Sequence, residues 1–107
     1  MSPLQKEPAI REVVERLRAD LGEDVFVICD HWDADLCAIG IARLGAEATL
    51  AYISTHRRTA GTYYLELEQG TLAEPDGESV GQWDGLDYEH LRQLVSKHLG
   101  VSKPLTS

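Results

Sequence analysis

The chain is 107 residues long and 43% hydrophobic, with 18 acidic and 10 basic residues that give a formal net charge of −8. A length in this range makes one domain, residues 1–107, with a modest core that needs neither a disulfide nor a metal. The acidic balance argues against a nucleic-acid ligand, which clustered Lys and Arg would hold, and no run approaches the roughly 20 apolar residues of a membrane helix.

A short flexible tail, about residues 1–7, precedes a helix. Ile10, Val13, Val14, Leu17 and Leu21 recur at offsets of 0, 3, 4, 7 and 11, which is one face of a helix. Pro8 suits its first turn and Gly22 its end. Four strand candidates follow with no helical pattern between them: "DVFVIC", "LCAIGIAR", "ATLAYIST" and "TYYLELE". The connections "LGAE" and "HRRTAG" are too short for parallel crossovers, so the strands form an antiparallel meander. "LCAIGIA" is apolar on both sides and reads as a central strand, whereas in "TYYLELE" Tyr63, Leu65 and Leu67 make a dry face and Tyr64, Glu66 and Glu68 a wet one. A loop is expected over 69–85, which carries Gly70, Pro75, Gly77, Gly81 and Gly85. The last helix starts at the N-cap Asp87 and runs to Leu99, with Leu91, Leu94, Val95 and Leu99 on its apolar stripe and Gly100 beyond it. The residues 101–107 form a second tail.

The expected architecture is a two-layer α+β domain: N-terminal helix, four-stranded antiparallel meander and C-terminal helix. Both helices cover one face of the sheet, and the other face is open to solvent or a partner. No apolar signal region follows Met1, and two cysteines in such a chain read as thiols in a reducing compartment. The expected location is the cytoplasm.

The densest chemistry lies in "CDHWDADLC", residues 29–37. Cys29, His31 and Cys37 are ligand types for zinc, but the spacing fits no familiar site and there is no C-x-x-C pair. Asp33 and Asp35 begin an oxygen-ligand pattern for calcium that stops at Cys37. Cys29 or Cys37 with His31 or His56 could form a nucleophile and base, but no phosphate loop, G-x-S-x-G or H-E-x-x-H accompanies them. His98 follows the apolar stripe of the last helix and reads as a core-edge histidine, and His90 falls on a polar flank. The chain therefore reads as non-enzymatic, with no cofactor and no metal. A small metal- or thiol-dependent enzyme built on Cys29, His31 and Cys37 is the alternative, and a homodimer joined through the open sheet face is a third.

Charge is distributed unevenly. Between residues 59 and 91 there is no Lys or Arg, and Glu66, Glu68, Glu74, Asp76, Glu78, Asp84, Asp87 and Glu89 together equal the whole net charge. Aromatic residues sit among these and other acids: Trp32 in "DHWDAD", Trp83 in "GQWDG" and Tyr88 in "DYEH". Trp and Tyr anchor protein interfaces and flanking charges select the partner. The bland reading is that the tryptophans cap the core.

A small acidic domain with an N-terminal helix, a meander holding "DHWDADLCAIGIA" and "LAYISTHRRTAGTYYLELE", and a closing "DYEHLRQLVSKHLG" resembles the small bacterial immunity proteins of polymorphic toxin systems. The resemblance implies an inhibitor that binds a cognate toxin domain, with acidic side chains against a basic cleft such as that of a nuclease. Asp30, Asp33, Asp35, Asp76, Glu78 and Asp84 would meet the partner's cations, and Trp32, Trp83 and Tyr88 would anchor it.

Overall fold

The computed structural model describes residues 7–22, 24–28, 37–55, 61–70 and 78–100. Helix α1 (Pro8–Leu21) is followed by strands β1 (Phe26–Ile28), β2 (Ala38–Arg43), β3 (Ala46–Ser54), β4 (Tyr63–Gln69) and β5 (Glu78–Leu86), and the described residues close with helix α2 (Tyr88–Leu99). The strands lie in the order β1-β2-β3-β4-β5, each antiparallel to its neighbour in sequence. The fold is the expected two-layer α+β arrangement, but with five strands among the described residues rather than four.

The fifth strand occupies ground expected to be loop. Its sequence, ESVGQWDGL, has no run of alternating apolar residues, and most of its side chains are exposed, so neither period nor hydropathy marks it. Pairing with β4 holds it in place. Two extra residues interrupt that pairing. One falls between the pairs Tyr63↔Leu86 and Leu65↔Trp83, where Gly85 takes φ +71°, and the other at Val80, between Leu67↔Gly81 and Glu68↔Ser79. Between β2 and β3 only Leu44 and Gly45 remain as a turn, and Gly45 has the positive φ (+84°) that such tight hairpins need.

The core follows from register. Ile39 pairs with Ile53, Ile53 with Leu65 and Leu65 with Trp83, so four strands present one continuous row; Ile41, Ala51, Leu67 and Gly81 form the next. Both rows face the helices. Ile10, Val13, Val14, Leu17 and Leu21 of α1 and Leu91, Val95 and Leu99 of α2 are buried in the same cluster as Ile39, Ile41, Ile53 and Leu65, which confirms the helical stripes. Arg18 of α1 stacks over Phe26 at 4.8 Å, which sets that helix beside β1. The helices also meet each other: Tyr88 donates its hydroxyl to Asp20 Oδ2 at 2.5 Å, and the Arg16 guanidinium lies 3.7 Å from the centre of the same ring.

The opposite face of the sheet is open only in part. Ala38, Gly40, Ala42 and Leu50, whose side positions point away from the helices, are buried, whereas Tyr52, Tyr64, Glu66 and Glu68 are half-buried and Gln82 is exposed. The accessible portion of that face lies over the β3–β5 side.

Helix α2 starts as its sequence implies. The Asp87 side chain accepts from the His90 backbone N–H at 2.9 Å, and this bond, followed by one with the His90 ring, holds the carboxyl below the usual carboxylate range. A depressed pKa means that the charged cap favours the fold above the unfolded carboxyl pKa of about 3.9 and that this contribution is lost as pH falls. Thermal melts should therefore place Asp87→Ala below the parent protein at neutral pH. Asp87→Asn should keep most of the cap and lose the pH dependence, so that parent and Asn variant converge below about pH 4.

Candidate functional site

The side chains that the strand period places away from the helices are the strongest candidate for a partner surface. On β4 these are Tyr64, Glu66 and Glu68. Register sets Glu66 between Tyr52 of β3 and Gln82 of β5. Tyr64 Oη donates to Glu66 Oε1 at 3.3 Å, and Gln82 Nε2 donates to Glu66 Oε2 at 3.2 Å, so both carboxylate oxygens are held within the sheet. The rings of Tyr52 and Tyr64 pack edge to face, 6.1 Å between centres at 72°. The result is an oriented carboxylate beside two half-buried aromatic rings, with Glu68 next to it along the strand.

No basic side chain shares this surface among the described residues. Arg11, Arg16 and Arg18 belong to α1, and Arg92 and Lys97 to α2. Arg43, at the end of β2, reaches the C-terminus of α2, its guanidinium 3.1 Å from where a Cβ on Gly100 would stand. The helical layer mixes both signs, and among the described residues the charged groups on the open part of the sheet face are carboxylates.

The residues expected to bind a partner are distributed differently. Glu78 and Asp84 are exposed on β5. Trp83 points to the helical side, half-buried against the core, and Tyr88 is buried, only 8% exposed, at the α1–α2 junction. Burial of its ring removes Tyr88 from the outer surface and gives it a structural role. Trp83 and Tyr88 thus lie across the sheet from Glu66 and Glu68. Asp30, Trp32, Asp33, Asp35 and Asp76 lie outside the described residues, as do Cys29, His31 and His56. Cys37 is half-buried just before β2, where its carbonyl accepts from the Thr55 N–H at 2.8 Å. Among the described residues no group of three or more His, Cys, Asp or Glu side chains could hold a metal ion.

Tyr52, Tyr64, Glu66 and Gln82 were not among the expected binding residues. The alternation in "TYYLELE" does mark Tyr64, Glu66 and Glu68 as one face. What sequence lacks is the register that adds Tyr52 and Gln82 from two other strands.

A pocket of about 360 Å³ opens on the helical side, lined by Leu67, Trp83, Leu94, Lys97 and His98. The His98 ring sits at the edge of the core, its Nε2 2.9 Å from the Glu68 carbonyl oxygen. A carbonyl only accepts, so Nε2 is the donor there. No helix among the described residues is long and apolar enough to cross a membrane. Comparison with protein-family models, curated proteins and solved structures finds no match to this chain.

Proposed function

We infer that the chain is a non-enzymatic protein-binding module that docks its acidic sheet face on a basic protein surface. In its most specific form it is a cytoplasmic bacterial immunity protein that covers the basic cleft of a cognate toxin domain, such as a nuclease. The observation that carries this reading is the segregation of charge among the described residues, with carboxylates as the charged groups on the open sheet face and one of them, Glu66, fixed through both oxygens. A carboxylate already oriented loses little side-chain freedom on meeting a cation, and a one-sign surface raises the rate of encounter with the opposite sign.

The test pairs this chain with the protein encoded immediately upstream in its genome. A complex should form whose association rate falls steeply from low to high salt while the melting temperature of the chain stays unchanged. Reversing charge with Glu66→Lys and Glu68→Lys together should weaken it by about 100-fold or more, since truncating a hydrogen-bonded interfacial charge costs about 2–5 kcal/mol. Association rates independent of salt, or a double variant that binds as tightly as the parent, would contradict the docking face.

A further inference from the structure

We propose that the pocket between α2 and the β4–β5 side of the sheet binds a small planar aromatic carboxylate. It lies across the sheet from Glu66, so this site and the acidic docking face stand or fall independently.

The pocket begins with Gly81. A Cβ there would lie 2.4 Å from Trp83 Cη2 and 2.8 Å from Cζ3, closer than real contacts allow, so the indole occupies the space that any other residue at 81 would fill. The tryptophan is thereby drawn down against its own strand and forms one wall. Leu67, buried beneath, and Leu94 on α2 complete an apolar lining, with Trp83 and Leu94 both left half-buried. The volume of about 360 Å³ falls at the small end of the range for small-molecule sites, about 300 to 1,000 Å³.

Charge selects the class of ligand. In a chain of net charge −8, the charged side chain among the described residues that line this pocket is a cation, Lys97, and none of them is acidic. His98 commits Nε2–H to the Glu68 carbonyl, which holds the imidazole as a fixed wall. An aromatic wall and aliphatic floor suit a flat apolar body, and an ammonium at the rim suits a single carboxylate. A phosphate-rich ligand would want more donors than the described lining offers.

The experiment is an NMR titration of the full chain with 2-naphthoate and, separately, with its neutral counterpart 2-naphthalenemethanol, following the Trp83 indole N–H and the amides of residues 94–98. Saturable shifts confined to these positions are expected, with 2-naphthoate bound at least about tenfold tighter, the size of one charge-assisted hydrogen bond. Lys97→Met, a change at an exposed position, should erase that preference and leave binding of the alcohol unchanged. Gly81→Ala should weaken both probes by displacing the indole. No saturable shift at millimolar 2-naphthoate, equal affinity for the two probes, or an undiminished preference in Lys97→Met would each overturn the assignment.

Discussion

Leu65→Ala should lower the unfolding free energy by about 2–5 kcal/mol, the usual range for deleting a buried leucine side chain. Leu65 is fully buried and stands in the middle of the row that runs from Ile39 through Ile53 to Trp83. Its own strand, β4, is held by backbone pairing to β3 on one side and β5 on the other, so the sheet cannot close over the space. A domain of this size has roughly 5–15 kcal/mol of total stability, and the substitution removes a large part of it. Urea denaturation should show the midpoint falling with an unchanged slope. Ile53→Val, in the adjacent position, should cost only about 0.5–1.5 kcal/mol. A Leu65→Ala loss no larger than that of Ile53→Val would mean the row relaxes and the packing described here is wrong.

Tyr88→Ala is expected to cost about 3–5 kcal/mol, the range for removing a buried aromatic ring. That ring closes the α1–α2 junction, and its loss also leaves Arg16 without its stacking partner. Tyr88→Phe separates the two contributions: the ring stays, the bond to Asp20 goes, and the cost should fall to about 1 kcal/mol. Titration gives an independent check. Burial first, then the hydrogen bond to Asp20 and the charge of that carboxylate, push the Tyr88 phenol well above the ordinary tyrosine value. A raised phenol pKa means that the stabilisation is complete below the unfolded value of about 10 and is lost as pH rises beyond it. Alkaline absorbance titration should show Tyr88 ionising late, together with unfolding, alongside Tyr63, whose phenol burial also raises, and Tyr88→Phe should remove one tyrosine from that late step.

How much of this could be read from residues depended on whether a local pattern carried the information. The stripe Ile10, Val13, Val14, Leu17 and Leu21 is spaced by the helix itself, and every member is buried. Asp87 and Gly100 act within their own turns and cap α2 as their types imply. Strand β5 failed that test because its pairing, not its composition, makes it a strand: Gly81 reads as a loop residue until the indole of Trp83 is seen above it. Tyr88 was correctly placed at a helix start but not in its surroundings, because the partner of its hydroxyl is 68 residues away. The acidic face lay between these cases. Glu66 and Glu68 were legible as a wet edge, yet the clamp on Glu66 needs Gln82, which only the register of a strand invisible in the sequence could bring there.

The plain order of the sheet also bears on how the chain reaches this structure. Each strand pairs with the one made just before it, so the sheet assembles through a series of small closures, and the entropy lost in closing a loop grows only slowly with its length. Contacts of short sequence separation go with rapid folding. The two helices are the exception: they stand at opposite ends of the strand series, and docking α1 against α2 closes nearly the whole molecule. The meander can therefore be laid down first and the helical layer fastened last, with the Tyr88–Asp20 bond as the clasp.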